Sequence, residues 1–191
     1  IRQNTKPISS ELGCVTPVVV VPGQWTTAEI DYQARHIVSM VSHNASFNCN
    51  AGKVLVLPKN WDQRDQLLDR IQHHFKKTPL RKAYYPGALD RYRAFLEQYP
   101  NAIVLGEEQE NVVPWTIFPD VSPEAGEYAL NVEAFCAVLA TTSLDNYTDA
   151  ADYLDKAIDF CNDHVWGTLS MTLLIDDKTK KSMKDTFDDA I

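Results

Sequence analysis

Cys49 lies in the run Asn44-Ala-Ser-Phe-Asn-Cys49-Asn-Ala-Gly52, a small and polar loop between a helical pattern and a buried strand. A cysteine there is placed for exposure and thiolate chemistry, whereas one inside an apolar run is a small, inert hydrophobe. A second segment, Ser10-Glu11-Leu-Gly-Cys14, leads directly into Val18-Val19-Val20-Val21 and sets a carboxylate at a strand entrance. The turn cysteine and the strand-entry acid are the two features that stand out. By residue type alone Glu11 is equally a solvated charge, and Cys14, Cys136 and Cys161 read as packing residues.

Other chemistries lack their residues. The seven glycines form neither G-x-G-x-x-G nor a Walker pattern, so no phosphate-cradling loop is expected within the chain. No two of the four cysteines have C-x-x-C spacing, and the five histidines show no H-x-x-x-H pattern, so no metal site is expected. His36 and His43, on or just after a helix, read as surface residues. There is no G-x-S-x-G elbow for a serine nucleophile. Eighteen Lys+Arg against 26 Asp+Glu leave a net charge of −8, a surface that repels phosphate backbones, and nucleic acid is not an expected partner. The chain opens without an apolar signal core and has no apolar run long enough for a bilayer, so the expected setting is the reducing cytoplasm, with no membrane partner.

The elements that must position these residues follow from periodicity. The chain has 191 residues, 45% of them hydrophobic, enough for one domain with a real core. Val18–Val21 and Lys53–Leu57 read as buried strands, the second stopped by Pro58. Thr26-Thr-Ala-Glu29 is a capping-box pattern, followed by Ile30, Ala34, Ile37, Val38 and Val41 at helical spacing. Further helices are predicted from about Asp62, from about Ala88, over Tyr147–His164 and from about Lys178. Strands are predicted at Ala102–Leu105, Val112–Phe118, Glu127–Asn131, Ala137–Thr142 and Thr168–Ile175. Strands alternating with helices predict an α/β layer fold with an antiparallel irregularity in its middle third.

Taken together, the segments resemble the aldehyde dehydrogenase superfamily, in its catalytic domain. Ser10-Glu11-Leu12-Gly13-Cys14-Val15 is similar to that family's E-L-G-G-K glutamate motif, and Asn44 to Gly52 to its N-x-G-Q-x-C-x-A-G cysteine loop. Glu133-Ala-Phe135-Cys-Ala137 is similar to its E-x-F-G-P stretch, and Cys161-Asn162-Asp-His-Val-Trp166-Gly167-Thr168 to its A-N-x-x-x-Y-G-L segment. The four motifs occur in the family's order. The chain differs by Cys14 in place of the second glycine, Ser46-Phe47 in place of G-Q, and Cys136-Ala137 in place of G-P, as a divergent member would.

The resemblance implies a three-layer αβα catalytic domain with a mostly parallel sheet. It implies NAD(P)-dependent oxidation of an aldehyde to an acid, with Cys49 as nucleophile, Glu11 as the base that activates water, and the backbone N–H of Cys49 in the oxyanion hole. It places Glu133 on the nicotinamide ribose of NAD or NADP and Phe135 near the ring. It further implies a homo-oligomer in the full-length protein, and that residues 1–191 are one catalytic-domain piece, the nucleotide-binding domain and the final segment lying outside them. On that reading the isolated piece does not turn over NAD(P). Two other readings stand beside it. One is a non-catalytic relative serving as an assembly or binding module; the other is a nucleotide-free thiol hydrolase with His43 as partner of Cys49.

Overall fold

The computed structural model describes residues 6–7, 9–11, 13–107, 109–184 and 187–188. Leu12, the middle residue of the glutamate motif, lies outside them.

The apolar runs become the centre of a six-stranded sheet. β1 (Thr16–Val20) and β2 (Gly52–Pro58) are buried at every position, as strands covered on both faces must be. The strand order is β3-β4-β5-β2-β1-β6, with β3 (Ile103–Leu105), β4 (Trp115–Phe118), β5 (Val138–Leu144) and β6 (Thr172–Leu174). Every neighbouring pair is parallel except β3 with β4, the expected irregularity of the middle third.

Handedness assigns the layers. The β1–β2 connection steps one way across the sheet and the β5–β6 connection steps the other. Right-handed crossovers therefore put α1 (Thr27–Ser42) and α5 (Ala150–His164) on opposite faces, giving three αβα layers. The α1 cap forms as the sequence predicts: Thr26 Oγ1 accepts from Glu29 N at 3.2 Å, and Thr26 N donates to Glu29 Oε2 at 2.6 Å. α2 (Arg64–Lys77) is pinned to α1 through Asp31, which accepts from Arg70 and His74 on α2 and Arg35 on α1. α3 (Ala88–Gln98) packs against α4 (Tyr128–Asn131) through Phe95 and Tyr128, whose ring centroids are 4.9 Å apart. α6 (Asp177–Met183) follows β6.

Several predicted elements differ in the fold. Glu127–Asn131 is not a strand but the short helix α4, because Glu127 caps it and accepts from both Tyr128 N and Tyr99 Oη. The predicted strand Val112–Phe118 shrinks to its last four residues, since Pro114 has no N–H to give a ladder. The strand predicted at Thr168–Ile175 shrinks to three residues at the sheet edge.

Candidate functional site

Strands β1, β2, β5 and β6 lie side by side, so the loops that enter them meet at one end of the sheet. Those loops carry the four motif segments: Glu11 precedes β1, Cys49 precedes β2, Glu133 and Phe135 precede β5, and Trp166-Gly167 precede β6. The candidate site is thus at the amino ends of the parallel strands. Open α/β sheets more commonly bind ligands at the opposite, carboxyl ends.

The cysteine loop is held in an unusual backbone. After α1 the chain passes through Asn44, Ala45 and Ser46, all left-handed, with φ of 52°, 54° and 69°. Consecutive left-handed residues cost about 1–2 kcal/mol each for side chains other than glycine, so the turn persists only where neighbours over-determine it. Asn44 Nδ2 donates to the Phe47 carbonyl at 3.2 Å, to Asn48 Oδ1 at 3.2 Å and to Tyr84 Oη at 2.9 Å. Lys53 Nζ donates to the Ser46 carbonyl at 3.2 Å and to the Ser46 hydroxyl. At the far side of the loop, Thr16 Oγ1 donates to the Cys49 carbonyl at 3.3 Å and fastens it to β1.

Cys49 itself is exposed, while Cys14 and Cys136 are buried and Cys161 is half-buried. Burial pushes the Cys136 thiol up to about 11, against the pull of the Lys53 and Arg91 charges. Burial alone pushes Cys161 up to about 12. Cys14, which replaces a motif glycine, does not project into the site: it is 2% exposed and its thiol lies 3.8 Å from Thr16 Oγ1, a free acceptor while the Thr16 proton serves the Cys49 carbonyl.

Two glycines let the entry loops close. A Cβ on Gly13 (φ 124°) would lie 2.7 Å from the Trp166 ring and 2.8 Å from Glu133 Oε2, and one on Gly167 (φ 102°) would lie 2.7 Å from the Cys14 Cα. Val15 N donates to the Trp166 carbonyl at 2.8 Å, which seals the contact. Glu133 therefore reaches the β1 entry loop, where its carboxylate accepts the Cys14 N–H. Burial raises the Glu133 pKa and the nearby Glu11 charge adds to that; the Cys14 N–H, Lys53 and Arg91 oppose it. The two candidate carboxylates are thus within electrostatic reach of each other. No hydrogen bond joins Glu11 to Cys49 among the described residues. The His43 ring nitrogen Nδ1 is engaged by Asn48 at 2.8 Å.

Sequence reasoning did not find Arg91, the Tyr84–Tyr85 pair or Lys53. Arg91, in the first turn of α3, donates to the Ala134 carbonyl at 2.9 Å and to the Phe135 carbonyl at 3.1 Å, holding Phe135 in a left-handed conformation with φ of 40°. Tyr84 and Tyr85 join Phe47 and Phe135 in an aromatic cluster; the Tyr85–Phe135 centroids are 4.7 Å apart and the Phe47–Tyr84 centroids 4.9 Å. The last of these is Lys53. Its one signal in the sequence is a charge at the start of an otherwise apolar buried strand.

No family model matches the chain, and no curated protein matches its sequence. Solved structures do match its fold. The NAD-dependent aldehyde dehydrogenase from Sinorhizobium meliloti superposes with a TM-score of 0.69 at 20% identity, over 92% of this chain and 36% of that one. The NADP-dependent glyceraldehyde-3-phosphate dehydrogenase from Bacillus halodurans gives a TM-score of 0.62 at 17% identity, over 87% and 39%. The Thermus thermophilus 1-pyrroline-5-carboxylate dehydrogenase gives 0.69 at 17%, over 93% and 34%. The chain has the fold of part of an aldehyde dehydrogenase, as the motif resemblance implies, and it spans little more than a third of the length of these proteins.

Proposed function

We propose that these residues form the nucleophile-bearing part of an NAD(P)-dependent aldehyde dehydrogenase. The observation that carries this reading is that the one exposed cysteine shares an end of the sheet with Glu11 and Glu133, on loops of adjacent strands. In the reaction, the Cys49 sulfur attacks the aldehyde carbon and forms a thiohemiacetal, with the Cys49 N–H donating to the developing oxyanion. A bound NAD or NADP would supply the hydride acceptor: loss of the carbon-bound hydrogen as hydride, with loss of the hydroxyl proton, leaves a thioester on Cys49. Glu11 takes a proton from water, which hydrolyses the thioester and frees the thiol.

The residues present fit the ribose and ring end of such a cofactor. Among the described residues Glu133 accepts the Cys14 N–H, which leaves its carboxylate acceptor capacity for a ribose hydroxyl, and Phe135 offers an aromatic wall. On this reading residues outside the 191 hold the phosphates, and the chain by itself gives no NAD(P) reduction with an aldehyde.

Alkylation with iodoacetamide tests the nucleophile. Cys49 is expected to react about tenfold or more faster than free cysteine at neutral pH, its site confirmed by peptide mass spectrometry. A Cys49 that reacts no faster than free cysteine would favour the second reading, a non-catalytic binding module. That reading draws on the Tyr85 ring packing edge-to-face with Phe135, their centroids 4.7 Å apart, which already gives Phe135 a protein partner.

A further inference from the structure

Lys53 is a cation sealed in the core, 4% exposed, and its three hydrogen-bond partners are neutral oxygens. Burying a charge among neutral groups is costly, so a lysine kept there points to what it holds. Two of its partners belong to Ser46; the third is the Cys136 carbonyl, at 2.9 Å. Ser46 and Lys53 bracket Cys49 in the chain, so their bonds close the base of the cysteine loop. Cys136 directly follows Phe135 and lies three residues beyond Glu133.

We propose that Lys53 is a positioning residue, its amine tying the left-handed Ser46 turn to the Cys136 carbonyl and so fixing Cys49 against the loop that bears Glu133 and Phe135. The proposal rests on the reading of Cys49 as nucleophile for its effect on chemistry, though not for the tether itself. The left-handed run supplies the need: without a clamp, Ala45 and Ser46 relax toward right-handed backbone and carry the thiol with them.

The clamp tolerates loss of the proton. Burial is the largest influence on Lys53 and pulls its pKa down to about 8, helped by Arg91 and opposed by Cys136 and Glu133. As an ammonium it donates to all three oxygens. As a neutral amine it donates to the two carbonyls, and its lone pair accepts the Ser46 hydroxyl proton. Removing the nitrogen is therefore the decisive change.

Single-turnover acylation by p-nitrophenyl acetate reads the geometry without a cofactor. The Cys49 sulfur attacks the ester carbonyl, the C–S bond forms, p-nitrophenolate leaves with the C–O bond electrons, and the thiol proton passes to solvent. The 191-residue chain is expected to give a burst that Cys49→Ser abolishes. Lys53→Met is expected to keep the burst amplitude while its rate constant falls about tenfold or more, as a small misplacement of a reacting group produces. Ser46→Ala, which leaves Lys53 its two carbonyls, is the milder variant and should slow acylation about two- to threefold. In parallel, hydrogen exchange across 44–50 and 134–137 should quicken in Lys53→Met while the amides of β1 and β2 stay protected. A reduced amplitude with an unchanged rate constant would mean a merely structural lysine and overturn the proposal, as would unchanged exchange in both segments. Should Lys53→Met fail to fold, wild-type acylation and exchange in Ser46→Ala would overturn it in the same way. Absence of any burst in the wild type counts against the nucleophile reading, and the exchange measurement then decides the tether by itself.

Discussion

Cys49 and Cys136 carry the same functional group, and only their surroundings separate them. With Cys136 pushed up to about 11 and Cys161 to about 12, both remain protonated thiols through mildly alkaline solution. Labelling of the native chain near pH 8 is expected to stay confined to Cys49, and urea should release the other three thiols; native labelling of Cys136 would contradict the burial. The glycines make a second argument at this scale. Gly167→Ala drives a Cβ into the Cys14 backbone, which has nowhere to yield, at a position of positive φ, and should cost about 2 kcal/mol in urea unfolding. Gly13→Ala meets the Trp166 ring and Glu133 Oε2 instead. Adding Trp166→Ala should recover the ring's share of the steric loss and leave the Glu133 contact and the conformational part, a coupling of about 1 kcal/mol in a double-mutant cycle.

Helices and strands differed in how plainly the sequence announced them. The α1 cap was readable because Thr26 and Glu29 satisfy each other locally, and Thr26→Ala is expected to cost about 1 kcal/mol by thermal or urea unfolding. β1 and β2 were readable because a strand buried on both faces needs apolar residues at consecutive positions. α4 was not, since its start depends on Tyr99, distant in sequence, engaging its cap Glu127. In α5 the buried face is Tyr153, Leu154, Ala157 and Phe160, with Ile158 and Cys161 half-buried, a rotation that pattern alone does not fix. The same division runs through the candidate site. The proposed Cys49, Glu11, Glu133 and Phe135 were named from motifs, whereas Lys53, Arg91 and Tyr84 make contacts between segments far apart in the chain. The Asp31 cluster ties α1 to α2 and gives a pH signature. Hydrogen bonds from Arg70, His74 and Arg35 hold its carboxyl well below the usual 3.8. A folded value lower than the unfolded one stabilises above the unfolded pKa and is lost as pH falls through the folded value. Asp31→Asn should therefore melt below the wild type at neutral pH, with the gap narrowing in acid below 3.8.

For the molecule as a whole, the direction of its layers matters more than its net charge of −8. Among the described residues no helix is long and apolar enough to cross a membrane. Parallel strands entered from one end oblige the helices before them to finish at that same end. α1 runs into the Cys49 loop, α4 into the Glu133 loop and α5 into the Trp166 loop. Each therefore presents its last carbonyls, the negative pole of the helix dipole, toward the candidate site. The molecule is electrically polar along its strands, and the end that carries Cys49 is its negative end, which favours an ammonium such as Lys53 and opposes phosphate and thiolate alike, so the fast-reacting Cys49 expected above must draw its anion stabilisation from nearer groups. On the proposed reading, a nucleotide at that end presents its uncharged ring first and keeps its pyrophosphate turned away.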